Sequence, residues 1–263
     1  PKPQTPNPKP LILSSKAEDL KECEQSQLKD IERGTHLGNG VQGIVYRIPG
    51  SVQVVKAVTK PEQIKATLNE IEVLKKANAS KYVSTFYDSC FITSSIGSMS
   101  IFIFMEMCEM DLETAIKNTP KSSRYFWDMI DQIIKMLIEL NSHGVYHLDN
   151  QIGNFMICGG KLKMIDFGSS KIASNKLPNL PILELKSLLQ LINTIKNEFQ
   201  IRCEKLTELE VMIARIPPKS TQPPFTLEMF RIELKKIRND CYNIPIQTDV
   251  FGSLDYLKSS TFI

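Results

Sequence analysis

The densest set of chemically capable side chains is His147-Leu148-Asp149-Asn150-Gln151-Ile152-Gly153-Asn154, followed twelve residues later by Asp166-Phe167-Gly168. Phe155 to Cys158 and Lys161 to Ile165 read as two strands joined by Gly159-Gly160, a two-residue loop suited to a tight hairpin. Asn154 precedes the first strand and Asp166 follows the second. Antiparallel pairing therefore puts both oxygen-bearing side chains at one end of the hairpin, where a hard cation such as Mg²⁺ could bridge them to a phosphate. Asp149, five residues before Asn154, is placed to orient a hydroxyl and accept its proton. His147 reads as a packing and hydrogen-bonding residue beneath the loop rather than a proton carrier.

A second set lies upstream. Leu37-Gly38-Asn39-Gly40-Val41-Gln42-Gly43-Ile44-Val45 fits G-x-G-x-x-G-x-V between two strands, whereas a dinucleotide fold needs a strand-to-helix setting. Glycines there would let a hairpin tip approach phosphate oxygens, and Val45 could cover an adenine ring; a plain glycine turn has the same composition. Lys56 stands inside Val54-Val55-Lys56-Ala57-Val58, where burial of its charge requires an acidic partner. Glu70 and Glu72 flank the apolar stripe of the next helix at similar angles, so periodicity leaves both open. A solvated lysine on an edge strand is the plain alternative.

These groups need elements to carry them. Ile31–Leu37, Gly43–Ile48 and Val52–Val58 read as strands, the last two separated by Pro49-Gly50. Residues 61–76 carry Ile64, Leu68, Ile71 and Leu74 at helical spacing, with Pro61 in the first turn. Strand-like stretches over 82–91 and 100–105 complete an antiparallel sheet with one helix against it. After Cys108 the pattern turns helical: Phe126, Ile130, Ile133, Leu137 and Leu140 form one stripe, and further helices are expected near 182–197, 203–215 and 226–238. The predicted fold class is α+β. Its parts are a proline-rich linker over 1–14, a short helical extension over 15–29, a small lobe over 30–107 and a mainly helical lobe over 108–263, atypical after 170.

Composition narrows the class. The 263 residues are 42% hydrophobic and 23% charged, which excludes a disordered or fibrous protein. Thirty-two basic against 29 acidic side chains leave a net charge of +3, too small to argue for nucleic acid. No apolar run reaches the ~18 residues of a membrane span. The six cysteines form no C-x-x-C pair and no zinc spacing, so buried reduced thiols in a cytoplasmic compartment are expected. A chain that begins at Pro1 is expected to be a processed product or a piece of a longer one.

The ordered set Gly38/Gly40/Gly43, Lys56, Glu70, His147/Asp149/Asn154 and Asp166-Phe167-Gly168 resembles the eukaryotic-type protein kinase signature over about residues 31 to 170. The resemblance implies a bilobal protein-kinase-like fold, ATP and Mg²⁺ as the reacting pair, and a protein substrate. It selects Glu70 over Glu72, because Leu74 matches the apolar residue packed behind the paired glutamate. By the same resemblance Lys56, held by Glu70, grips the α- and β-phosphates, and Gly38, Asn39, Gly40, Gly43 and Val45 cover the nucleotide. Backbone around Glu106 and Cys108 bonds the adenine, Asn154 and Asp166 carry Mg²⁺, and Asp149 positions the acceptor hydroxyl.

Several positions depart from that pattern. Leu148 stands where many members have an arginine that pairs with a phosphate on the activation segment, and Gln151 replaces a lysine that contacts the transferred phosphate. Val54 replaces an alanine above the adenine. No A-P-E triplet follows Gly168, and helical pattern resumes at about Ile182, so the activation segment is expected to be short. Such a trimmed second lobe resembles secreted bacterial effector kinases of the SteC type, which would place the chain in a host cytoplasm. The expected activity is phosphorylation of protein Ser/Thr, with tyrosine left open by Gln151. The alternatives are a nucleotide-binding pseudokinase and a small-molecule kinase of the aminoglycoside phosphotransferase type; the three-glycine loop argues against the latter.

Overall fold

The chain changes from mainly period-2 to mainly period-3.6 patterning near Glu106, and the computed structural model divides close to that residue. It describes residues 20–40, 43–217, 219–220 and 226–242. The expected linker over 1–14, and part of the helical extension, lie outside them. The described residues form two compact units, one within 1–71 and 86–106 and the other within 72–85 and 107–263.

The first unit contains β1 (Lys21–Glu22), α1 (Gln25–Glu32), β2 (Thr35–Gly40), β3 (Gly43–Arg47), β4 (Gln53–Val58), most of α2 (Pro61–Ala77), β5 (Phe86–Thr93) and β6 (Met99–Glu106). The six strands run β1-β5-β6-β4-β3-β2. Every neighbouring pair is antiparallel except β1 with β5, so the expected antiparallel sheet gains one parallel edge strand. Central strand β4 is apolar on both faces, unlike a sheet with one face in water. On one face Val55 and Ala57 join Ile48, Cys90, Phe102 and Phe104, and Cys23 and Ile31 of the amino-terminal segment cover them together with Tyr46. Lys56 therefore belongs to the opposite face, by strict alternation.

Within the helical extension expected over 15–29, the described residues form β1 and then α1, which begins at Gln25 and takes in Ile31, a residue that the sequence pattern places in a strand. The extension closes onto the sheet through β1 and through Gln27, whose amide donates to Asp88 Oδ2 at 3.1 Å. The segment 82–85 also departs from the strand reading. Met164 N donates to Tyr82 O and Ser84 N to Met164 O, tying it to the β-hairpin that ends at Met164 in the same unit.

In that second unit β7 (Met110–Asp111) leads into α3 (Leu112–Lys117), capped by Asp111, and α4 (Ser123–Ser142), capped by Ser122. Then follow β8 (Val145–Tyr146), β9 (Phe155–Cys158), β10 (Lys161–Met164), β11 (Lys171–Ile172), α5 (Leu180–Glu198), α6 (Glu204–Ala214) and α7 (Leu227–Tyr242). The α4 stripe is fully interior, with Phe126, Ile130, Ile133, Leu137 and Leu140 all buried. Buried Arg238 of α7 donates to Asp128 of α4 at 2.8 Å, which fastens the last helix to the first long one. No helix among the described residues is long and apolar enough to cross a membrane.

The expectation of free thiols is overturned: Cys23–Cys90, Cys108–Cys158 and Cys203–Cys241 are disulfides. Each partner comes from an element 38 to 67 residues away, and such pairings leave no short spacing motif in a sequence. The first joins the extension to β5. Closing a 67-residue loop lowers unfolded-chain entropy by an amount worth about 4 kcal/mol in the simplest treatment. Cys23→Ser with Cys90→Ser should therefore lower the thermal midpoint by several degrees in non-reducing buffer, and the difference should vanish when both proteins are melted in dithiothreitol.

Candidate active site

Lys56 is the buried charge of the first unit. Its ammonium donates to both Glu70 carboxylate oxygens at 2.8 Å, with the two side chains 9% and 1% exposed. Glu70 is buried on α2 whereas Glu72 is exposed, so the structure resolves the choice that periodicity leaves open. Val45 lies across from Lys56 on β3, and Ile103 across from it on β6. The glycine-bearing hairpin pairs Gly38 with Val45, Asn39 with Ile44 and Gly40 with Gly43. Gly43 has φ +151°, and a Cβ there would stand 2.7 Å from Ala57 O, so β3 approaches β4 too closely for any side chain. A Cβ on Gly38 would meet nothing within 4 Å among the described residues, leaving space on that side of β2. Val41 and Gln42 lie outside the described residues. Glu106 ends β6, opposite Gln53, while Cys108 is held in its disulfide with Cys158.

The second unit carries Asn154 and Asp166, the expected oxygen ligands, and the candidate base Asp149. β9 and β10 pair antiparallel from Phe155–Met164 to Cys158–Lys161, and Ile165 N donates to Asn154 O at 3.0 Å, so Asn154 and Asp166 flank one end of the hairpin. Asn154 Nδ2 donates to Asp149 O at 2.8 Å, which commits its amide nitrogen and leaves the amide oxygen as the atom that could ligate a cation. Asp166 adopts φ +58° and accepts from Gly168 N at 3.3 Å. One carboxylate and one amide oxygen are hard donors that suit Mg²⁺ completed by phosphate and water oxygens. No cluster of three His, Cys, Asp or Glu groups capable of holding a metal exists among the described residues, so these side chains alone do not build a closed cage.

Asp149 accepts from Gln151 Nε2 at 3.2 Å through Oδ2, and its carbonyl also takes Gln151 N at 2.9 Å. His147 is fully buried, packs edge-on against Phe167 at 5.0 Å between ring centroids, and bonds Ile165 O through Nε2. Burial holds its imidazole below the ordinary range and hence neutral, in keeping with a packing role.

Sequence reasoning missed the residue that holds this loop. Glu184 on α5 is completely buried; its Oε2 accepts from Leu148 N at 2.8 Å and its Oε1 from Asn150 Nδ2 at 3.2 Å, while Ser187 Oγ accepts from Asn150 N at 2.6 Å. Leu148 has φ +66°, a strained conformation for a leucine, sustained by that bond. The signal was present as a glutamate inside the apolar stripe Ile182, Leu185, Leu188, Leu189, a place carboxylates rarely occupy without donors. Burial pushes the Glu184 carboxyl up to about 7, and the Leu148 and Asn150 donors oppose that rise.

These buried charges have measurable consequences. Lys56→Ala leaves the Glu70 carboxylate without its cation, so denaturant titration should show a loss of about 3–5 kcal/mol; an unchanged midpoint would mean the pair is solvated. A folded-state carboxyl raised from 4.5 to about 7 favours the native protein while it is protonated, and that advantage fades as pH climbs from about 4.5 to about 7. The unfolding free energy of the wild type should therefore fall across that window by roughly 3 kcal/mol more than that of Glu184→Gln, which has no such proton.

A model of the protein kinase domain matches residues 31–186. Serine/threonine-protein kinase MPS1 of Encephalitozoon cuniculi is 24% identical over 152 residues, covering 56% of this chain and 25% of the relative. Serine/threonine-protein kinase mph1 of Schizosaccharomyces pombe is 25% identical over 195 residues, covering 67% and 28%. Dual specificity protein kinase Ttk of Danio rerio is 29% identical over 144 residues, covering 50% and 14%. The chain thus spans between 14% and 28% of the length of these relatives. With a kinase-domain match over more than half its length, and the matched residues forming the ion pair, loop and hairpin described above, the chain belongs to the protein kinase family.

Proposed function

We propose that this chain is an ATP- and Mg²⁺-dependent protein kinase that phosphorylates serine or threonine hydroxyls. The observation that carries the reading is the buried Lys56–Glu70 pair, because a lysine held at 2.8 Å from both oxygens of one carboxylate presents a fixed cation to phosphate oxygens. Asp149 accepts the acceptor hydroxyl's proton as its oxygen bonds the γ-phosphorus and the bond to the β-phosphate oxygen breaks. Asn154 and Asp166 would hold Mg²⁺, which supplies charge neutralisation on the phosphates. Two of the relatives are serine/threonine kinases and one is a dual-specificity kinase, which supports a hydroxyl acceptor on protein. Those relatives are eukaryotic and give the secreted-effector reading no support.

A second reading, a nucleotide-binding pseudokinase, is favoured by Gln151: a neutral amide meets the Asp149 carboxylate where the resemblance expects a lysine. Incubation with labelled ATP and a mixed protein acceptor, comparing the wild type with Lys56→Ala and Asp149→Ala, separates the two. Transfer onto serine or threonine that falls at least a hundredfold in both variants is expected for an enzyme of this class. Equal, background-level incorporation in all three, with MgATP still raising the melting temperature of the wild type, would establish the pseudokinase instead.

A further inference from the structure

Asn150 stands between the candidate base Asp149 and Gln151, yet it is 2% exposed. An apolar side chain would fill such a place without desolvating any polar atom. Asparagine fills it at a cost: its Oδ1 is buried with no hydrogen-bond partner among the described residues, and buried polar groups left unpaired are rare enough to call for a reason. Both of its donor groups are engaged. Its Nδ2 donates to Glu184 Oε1, its main-chain N to Ser187 Oγ, and the second Glu184 oxygen takes Leu148 N. Residues 148 and 150 are thus both clamped to one buried helix, α5, and Asp149 is the residue held between the two clamps.

We propose that Asn150 is a positioning residue for the transfer step: its amide, seated on the Glu184 carboxylate, fixes the main chain on the far side of Asp149 and so sets where the Asp149 carboxylate stands. The proposal rests on the kinase reading and deepens it. Leu148 alone, bonded to the same carboxylate, pins one flank of Asp149; the Asn150 contacts pin the other and remove the remaining rotation of the loop about its φ +66° residue. Displacing a reacting group by about 1 Å costs up to a hundredfold in rate, so the effect belongs to kcat and not to nucleotide affinity.

The pairing of amide with carboxylate gives a test that volume or general stability cannot imitate. Four variants of this chain are compared with the wild type for kcat and for KM toward MgATP: Asn150→Leu, Asn150→Asp, Glu184→Gln, and Asn150→Asp combined with Glu184→Gln. Melting curves establish that each is folded. Asn150→Leu, close in size, should lower kcat about ten- to hundredfold with KM for MgATP within about twofold. Asn150→Asp should fall at least as far, because it sets two carboxylates against each other. The combined variant restores a donor–acceptor pair with its polarity reversed: the amide nitrogen introduced on α5 donates to the new carboxylate, and the amide oxygen accepts from Leu148 N. It should recover kcat to within about threefold of wild type, a coupling between sites that independent effects do not produce. Wild-type kcat in folded Asn150→Leu overturns the proposal, as does a folded combined variant no better than Asn150→Asp alone. A wild-type chain without transfer activity overturns the kinase reading itself, a result distinct from either.

Discussion

The loop bearing the candidate base has only one short 3-10 turn of regular structure, over Ile152–Asn154, so its shape must be imposed from outside. A single buried carboxylate does much of that. Glu184 accepts from the loop at Leu148 and Asn150, and without such donors an ionised carboxylate in the apolar stripe of α5 would be prohibitively costly. The dependence is mutual. Leu148 keeps a left-handed backbone because its N–H is committed to the carboxylate, and the carboxylate tolerates burial because that N–H is there. Packing around the site adds to this: His147 is locked between Phe167 and the Ile165 carbonyl, and Ser170 Oγ donates to His147 O.

The same principle operates in the first unit. β4 is a central strand covered on both faces, and it places one cation among Val54, Val55, Ala57 and Val58. The cost of desolvating Lys56 is offset only if an anion of matching geometry is delivered, and α2 delivers Glu70 to within 2.8 Å. The outer face of that strand depends on the extension, since Cys23 and Ile31 pack against the cluster that contains Val55, Ala57 and Phe102. The amino-terminal segment is therefore part of the sheet's core. A sheet without it would expose that face to water, against the apolar patterning of β4 itself.

How much of this is legible in the sequence follows from the range of each interaction. The β9–β10 hairpin, α2, α4 and the three last helices are readable because their signals are local: paired glycines, period-3.6 stripes and an early proline. Lys56 is readable as a charge in need of a partner, but Glu70 and Glu72 differ by geometry that periodicity does not encode. The parallel edge strand β1, the three disulfides and the loop partners of Glu184 are not legible. Each joins segments between about 35 and 70 residues apart, and each depends on tertiary placement with no sequence spacing of its own. Ile31 misleads for a related reason: a β-branched residue suggests a strand, and packing of α1 onto the outer face outweighs that propensity. Leu148 and Gln151 are legible as departures, although their consequences require coordinates.

The shortened activation segment makes sense beside these anchors. In the resemblance, an arginine before Asp149 meets a phosphate that orders the segment; here Leu148 has no charge, and its main-chain N–H is used by Glu184 instead. Uncharged contacts contribute to the order after Gly168. Ser170 bonds the His147 carbonyl, β11 pairs with β8 through Lys171–Tyr146 and Ile172–Val145, and Ala173 N donates to Gly144 O at 2.7 Å. Soon afterwards, at Leu180, α5 begins and brings Glu184 back beneath the same loop. The segment is thus a brief excursion between two attachments to the catalytic loop. Each of these attachments is a hydroxyl or main-chain hydrogen bond, so burial and hydrogen bonding act on both flanks of the loop.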